Sequence, residues 1–258
     1  MNMKILKTNF YSQNEIPFLY LNLLECYDHV DKFLVYEFNH TKSGIKKDFV
    51  DLYEQWDLFD PFVDKFDYHM IKLDKDPVYV KDEGGVSNEI QKTINEPYSR
   101  NYFTEILHLE DDDLVFSVDA DEIIYSHVYD RVEEEIEKND SPVNLNMHFF
   151  WEKINKLTDK PWTSPCASKF KHLKDKLQTC TTGQTKYPQW RDEGRSADFY
   201  SGCHFSNCYS NDDEFEYRKK AIYYKPTSYD TREVSLDDDI MPKTLSTVTN
   251  VFKEFNLV

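Results

Sequence analysis

Residues 114–122 read LVFSVDADE, an apolar strand-like run that leads directly into three acids. The apolar part favours a buried, parallel strand. In open α/β sheets, ligands gather at the carboxyl ends of the strands, which is where Asp119 and Asp121 would stand. Two carboxylates one residue apart at that edge can share a hard cation, and the cation can neutralise the phosphates of a substrate. The stretch therefore predicts an α/β fold with a cation-assisted site.

Strand-like and helix-like segments alternate through residues 1–125, which predicts βαβ units. We expect an α/β fold with a Rossmann-like, mostly parallel central sheet flanked by helices, and a less regular C-terminal region. No linker or repeat divides the chain, so residues 1–258 are expected to form a single domain. The predicted strands are residues 4–10, 33–36, 68–73, 114–118 and 143–151, and the predicted helices are residues 14–27, 47–59, a segment from about Pro97, 131–138, 212–224 and 242–255.

Composition excludes several partners. The 258 residues carry a formal net charge of −17, which argues against binding to nucleic acid or to an anionic membrane, because both need basic surfaces. No stretch of ~20 apolar residues suggests a membrane span. The N-terminal residues turn polar too early for a signal peptide, so a cytoplasmic location, in a bacterium or a virus-infected cell, is the expectation.

The acidic pair itself admits other interpretations. Aspartate is common in turns after strands, so Asp119 and Asp121 can be structural. Phosphatases of the haloacid dehalogenase type also end a strand in Asp-x-Asp and use the first aspartate as nucleophile. Those enzymes usually place the strand near the N-terminus, with Thr or Val where this chain has Ile123. The interpretation of the pair as a cation site therefore depends on other residues as well.

Four further positions are candidates for binding. Arg100 begins the helix before the acidic strand, where a cation makes sense if an anion binds nearby. Glu37 follows the second strand and reaches the same sheet edge as Asp119. His204 can complete a metal shell begun by carboxylates, although a lone histidine is more often a satisfied core residue. Trp162 offers an aromatic face suited to stacking on a sugar.

Taken in order, several blocks of the chain resemble glycosyltransferase family 17, whose known animal members add bisecting N-acetylglucosamine to N-glycans. Residues 30–44 (VDKFLVYEFNHTKSG) carry the more specific part of the resemblance. Arg-Asn before an Asp-Ala-Asp strand also occurs in the broad family 2 transferases. The other similar blocks are Asn14-Glu15 with residues 20–25 (YLNLLE), Arg100-Asn101, residues 116–123 (FSVDADEI), residues 160–162 (KPW) and residues 202–206 (GCHFS), the last with Cys203 where Trp is more usual.

The resemblance implies a GT-A fold, a UDP-sugar donor carrying N-acetylglucosamine or another hexose, a divalent cation (Mn²⁺ or Mg²⁺) and inversion at the anomeric carbon. It implies a donor-binding half in residues 1–125 and an acceptor-side half in residues 126–258. Residues 165–200 match poorly, which leaves the glycan acceptor open. The implied donor-binding residues are Glu37, Asn39, Arg100, Asp119, Ala120 and Asp121; the implied metal ligands are Asp119, Asp121 and His204; and Trp162 is the implied acceptor contact.

The expected reaction is a single displacement, in which a carboxylate takes the proton of the attacking hydroxyl. Asp198 and Glu122 are the preferred candidates, Asp198 because it shortly precedes His204. Glu152, Asp192 and Glu193 are other acids that suit the role. A phosphatase using Asp119 and a non-catalytic glycan-binding protein are the alternatives.

Overall fold

A computed structural model describes residues 2–73, 79–178, 194–208, 229–255 and 257, and it shows an α/β fold. Four parallel strands occur in its first half, in the order β3-β2-β1-β4. They are β1 (Lys4–Phe10), β2 (Lys32–Phe38), β3 (Phe66–Ile71) and β4 (Leu114–Asp119). The predicted strands in this half are confirmed, with ends shifted by a few residues.

Alternate residues of these strands enter two separate hydrophobic cores, since side chains alternate between the faces of a sheet. Leu6 and Phe33 pack in one core with helix α1 (Ile16–Cys26), which follows a 3₁₀ turn at Gln13–Glu15. The other core holds Ile5 and Phe103. Both faces of the sheet are therefore covered, as the continuous apolar strands require.

The predicted helix over residues 47–59 is confirmed only in its second part. Leu52–Gln55 (3₁₀) and Trp56–Phe59 (α) are helical. Residues 47–50 are not helical, because the buried carboxylate of Glu37 binds Lys47 Nζ and accepts from the Val50 N–H at 2.8 Å. A buried charge that needs partners outweighs local helix propensity here.

The helix before β4 begins earlier than predicted. Asn88–Ile90 is α-helical, Gln91–Asn95 forms a π-helical turn, and Glu96–Asn101 continues as an α-helix with Pro97 in its first turn. Phe103–Ile106 adds one more turn. Proline therefore marks a first turn as expected, but within a longer helical segment.

The second half adds mostly antiparallel strands. β6 (Val143–Trp151) confirms a predicted strand, and β9 (Arg195–Ser206) pairs parallel to it. β5 (Glu122–Ile124) pairs antiparallel to β9. β9 was not predicted, because its sequence has little periodicity. The remaining strands are β7 (Lys156–Thr158), β8 (Cys166–Lys169), which joins β4 to β6, and β10 (Thr231–Glu233).

Helices in the described part of the second half lie between and after its strands. Tyr129–Asn139 confirms the predicted helix at 131–138, and Lys171–Gln178 follows β8. Near the C-terminus, Leu245–Val248 (3₁₀) and Thr249–Glu254 (α) cover part of the predicted helix. The prediction for residues 212–224 lies outside the described residues.

The fold class is confirmed as α/β, with a central sheet whose core strands are parallel and flanked by helices. In the described part of the chain, one sheet contains strands from both halves. The longest described helices have 11 residues, and none has the length and apolarity to cross a bilayer.

Candidate active site

Asp119 ends β4 at the carboxyl edge of the parallel strands, beside Asn9 of β1. Arg100 binds its carboxylate with both arms: Nη1 lies 2.5 Å from Oδ1, and Nη2 lies 2.8 Å from Oδ2. Glu96 accepts from Nη2 and Nε of Arg100 at 2.6 and 3.2 Å. Lys42 Nζ lies 3.2 Å from Glu96 Oε1 and 3.5 Å from Asp119 Oδ2. These two acids and two bases form a largely buried group that we call the Asp119 network.

Side chains from the sheet fix the backbone beside this network. Lys7 Nζ and the Tyr36 hydroxyl both donate to the carbonyl of Arg100, at 2.9 and 3.0 Å. Asn9 Nδ2 donates to the carbonyl of Ser99 at 2.8 Å. Carbonyls near a helix end need such outside donors. These bonds from the sheet therefore position the backbone that carries the side chain of Arg100.

The network stays charged at neutral pH. Burial raises the pKa of Asp119, but Arg100 and Lys42 outweigh this and hold the pKa below its usual range. Burial likewise opposes charge on Glu96, yet the same two cations lower its pKa to about 2. Beneath the network, burial and the charge of Arg100 lower the pKa of Lys7 to about 7. The acids are thus carboxylates that are already neutralised by protein cations.

Asp121 lies beyond the buried Ala120 and has different surroundings. Glu122 of β5 stands opposite His204 of β9, and the Phe205 N–H donates to the carbonyl of Asp121 at 2.9 Å. The imidazole Nε2 of His204 consequently lies 3.7 Å from Oδ1 of Asp121. Both residues are 6% exposed, and Nδ1 of His204 is buried without a hydrogen-bond partner. The structure therefore brings together two residues that are far apart in sequence.

Aromatic rings and Glu122 surround His204. The ring of His204 stacks on Phe149, with centroids 5.2 Å apart, and its centroid lies 4.5 Å from that of Trp162. Trp162 Nε1 donates to Glu122 Oε1 at 2.7 Å, and the Asp119 N–H donates to Oε2 at 2.6 Å. Burial and the charge of Asp119 raise the pKa of Glu122 well above its usual range. A raised pKa favours the protonated carboxyl group, which cannot take up a proton as a general base.

The predicted nucleoside contacts Glu37 and Asn39 lie at the same edge but are engaged within the protein. Glu37 is fully buried, held by residues 47–50, and its Oε2 accepts from the Tyr68 hydroxyl at 2.8 Å. Asn39 Oδ1 accepts from the Leu73 N–H at 3.0 Å. In this structure both side chains fix the loop after β2, and their role toward a nucleoside stays a prediction.

Asp198 is not placed beside the acidic pair. It stands six residues before His204 on β9, roughly 20 Å along an extended strand. Its side chain is 80% exposed and pairs with Arg131 at 3.0 Å. Glu152 instead directly follows β6 at the carboxyl edge, exposed and in the left-handed conformation (φ 63°). Asp192 and Glu193 lie outside the described residues.

Asp121 and His204 fit a divalent cation as two of its ligands. Two donors that each lie about 2.1 Å from one ion can be at most ~4.2 Å apart, and these are 3.7 Å apart. In the described part of the chain, no three or more His, Cys, Asp or Glu side chains cluster as a metal site. Mg²⁺ is usually bound by one or two carboxylates together with water and substrate phosphates. Asp119 fits less well, because both its oxygens bind Arg100.

Sequence reasoning missed Lys42 and Glu96. Glu96 precedes Arg100 by four residues, a spacing that pairs opposite charges on a helix and could have been noticed. Lys42 lies within residues 30–44, where Glu37 was the predicted ligand contact because it ends a strand. The bond between Trp162 and Glu122 had no signal in the sequence, since 40 residues separate them.

Comparisons with known proteins gave distant likenesses only. No family model and no curated protein matches the chain, so the resemblance to family 17 is not confirmed. A 4-diphosphocytidyl-2C-methyl-D-erythritol synthase structure from Anaerococcus prevotii is similar at 9% identity and TM-score 0.43, covering 86% of this chain and 98% of its own. A structure of a putative glucose-1-phosphate thymidylyltransferase from Bacillus anthracis, in complex with a sucrose, is similar at 9% identity and TM-score 0.41. The similarity covers 100% of this chain and 98% of the other. At such scores no function is inferred from them.

Proposed function

We propose that this protein is a glycosyltransferase of the GT-A type, similar to family 17. It transfers a hexose, such as N-acetylglucosamine, from a UDP-sugar to a glycan hydroxyl with the help of Mn²⁺ or Mg²⁺. The observation that supports this most is the pair of Asp121 and His204, 3.7 Å apart at the carboxyl edge of the sheet. Beside it stands an aspartate whose charge is already compensated. This arrangement suits a cation that also contacts a diphosphate.

An anionic donor would need positive charge at this site. A chain with net charge −17 repels a nucleoside diphosphate unless local cations oppose the repulsion. Arg100 and Lys42 supply two cations, although Asp119 and Glu96 balance them. When bound, the divalent cation would supply the further positive charge that stabilises a leaving diphosphate.

Each residue then has a role that its contacts support. Asp121 and His204 hold the cation. Arg100 keeps Asp119 ionised and oriented at the edge, where its carboxylate can accept from a ribose hydroxyl. Trp162 presents a half-buried indole whose orientation is fixed by the bond to Glu122, which suits packing against a sugar.

The base that activates the acceptor hydroxyl must be a carboxylate that is ionised and reachable. The raised pKa of Glu122 disfavours its ionised form, and Asp198 lies near the far end of β9. Glu152 is exposed directly after β6, and its N–H donates to the carbonyl of Ser206, two residues after His204, so it is the described candidate that we propose. Its left-handed backbone is a strained conformation of the kind found at functional sites.

The phosphatase alternative needs an oxygen of Asp119 that can attack phosphorus. Both oxygens accept bonds from Arg100, and Lys42 lies near one of them. A nucleophile bound in this way would first have to break a bidentate ion pair. The geometry therefore favours the transferase.

A ligand panel tests the proposal. Thermal unfolding would be followed with UDP-, GDP- and CDP-sugars in Mn²⁺, each with an EDTA control. We expect UDP-sugars to raise the melting temperature by about 5 °C or more near saturation, and EDTA to abolish the shift. No shift with any UDP-sugar would contradict the proposal. Turnover of a simple phosphate ester with labelled Asp119 would favour the phosphatase, and EDTA-insensitive glycan binding would favour a binding protein.

A further inference from the structure

Lys42 lies in the turn after β2, to which the proposed function assigns no catalytic role. Gly44 adopts φ +79°, and a Cβ at this position would lie 2.1 Å from the carbonyl oxygen of Tyr79. The carbonyls of Gly44 and Ser43 accept from the N–H groups of Lys81 and Val86, at 2.6 and 2.7 Å. Only glycine fits this close approach. The turn after β2 is therefore rigidly placed against residues 79–86.

The ammonium group at the end of this turn has looser contacts than its neighbours. Lys42 Nζ lies 3.2 Å from Glu96 and 3.5 Å from Asp119, whereas Arg100 binds the same two carboxylates at 2.5 to 2.8 Å. The Lys42 side chain is 12% exposed. It therefore reaches the surface of the site while it shares acceptors that the guanidinium already uses.

Release of Lys42 leaves no acid without a cation. If the ammonium turns away, Glu96 and Asp119 both keep their charged bonds to Arg100. Release of Arg100 would instead break bonds to both acids, which is costly for buried charges. A lysine also has a flexible four-carbon stem and three donors that can be redirected. Of the two cations, Lys42 is the one that can change partners cheaply.

We propose that Lys42 binds the diphosphate of the nucleotide donor, and that Glu96 and Asp119 hold it in place before the donor arrives. This rests on the proposed function and adds a residue to it. The diphosphate offers more negative charge than the two carboxylates that Arg100 already neutralises. On binding, Lys42 exchanges long shared contacts for charge-assisted bonds to phosphate oxygens.

The test compares UDP with uridine, both titrated calorimetrically in Mn²⁺ into the intact protein. We expect Lys42→Met to weaken UDP binding roughly 10- to 100-fold, the usual range for a lost bond to a charged group. Uridine binding should be unchanged, because uridine has no phosphate. Lys42→Arg should recover most of the UDP affinity.

Lys46→Met is the matched control, because Lys46 lies on the same turn with a 58% exposed side chain paired to Asp82. It should bind UDP like the wild type. Wild-type UDP affinity in Lys42→Met overturns the role of Lys42 while the proposed function stands. Equal losses for UDP and uridine also overturn it, since they indicate a structural role. Absence of UDP binding by the wild type overturns both proposals.

Discussion

Asp119 and Asp121 are one residue apart, yet they belong to two different regions of the molecule. Asp119 is bound by Arg100 from the helix Glu96–Asn101, with Lys42 of the turn after β2 nearby. Asp121 faces His204, which lies on β9. The first region neutralises its acid with protein cations. The second places its acid beside the imidazole of His204.

This difference leads us to propose that the two acids of the motif are not equivalent as metal ligands. A carboxylate that a guanidinium already binds gains less from a metal ion than a carboxylate beside an imidazole that can itself act as a ligand. Under the proposed function, the network around Asp119 provides order and charge balance, and the Asp121–His204 pair holds the cation. The following predictions test this division, in order of decreasing effect.

Removal of Arg100 should have the largest effect on stability. Arg100→Met leaves Asp119 and Glu96 buried with only the longer contacts of the Lys42 ammonium, and loss of one partner of a buried ion pair typically costs about 3–5 kcal/mol. Urea unfolding measures the change in the free energy of unfolding. The control is Arg131→Met, which breaks an exposed pair with Asp198 and should cost at most ~1 kcal/mol. Similar losses in both variants would show that the network contributes no special stability.

Acid should weaken the Asp119 network through Glu96. The folded pKa of Glu96, about 2, lies below the usual 4.5, so its contribution is complete above pH 4.5 and is lost as the pH falls through 2. We expect a loss of about 3 kcal/mol from this group. Unfolding free energies measured from pH 6 to pH 2 should therefore decline less steeply in Glu96→Gln than in the wild type. Parallel profiles would contradict the assigned charge state.

The second region should respond more mildly to loss of one hydrogen bond. Trp162→Phe removes the donor to the buried Glu122 and should cost about 1–3 kcal/mol in urea unfolding. Trp56→Phe, a half-buried indole that stacks on Tyr53, is the control and should cost less. If the two substitutions cost the same, the bond from Trp162 does not help to hold the site.

Much of the first region could be predicted from the sequence, because its determinants are local. Buried strands such as residues 114–118 show as apolar runs, and their carboxyl ends mark the edge that carries Asp119. Pairing along a helix places Glu96 beside Arg100. The ionic partners of Asp119 lie in segments that the sequence had already singled out.

The second region depends on long-range pairing, which local patterns do not show. β9 lacks an alternating pattern, so the register that puts Glu122 opposite His204 was invisible. For the same reason, proximity in sequence suggested Asp198 as a base, although an extended strand separates it from His204 by roughly 20 Å. Glu37 was predicted as a ligand contact, but its buried carboxylate is used by the loop that follows it.

A titration of Mn²⁺ in the presence of saturating UDP tests the division most directly. Bound Mn²⁺ would be followed by electron paramagnetic resonance in the wild type, Asp121→Asn and Asp119→Asn. We predict that Asp121→Asn loses Mn²⁺ binding at least tenfold, while Asp119→Asn binds Mn²⁺ within about threefold of the wild type but unfolds at lower urea. Equal losses of Mn²⁺ affinity in both variants, or a loss confined to Asp119→Asn, would contradict the account.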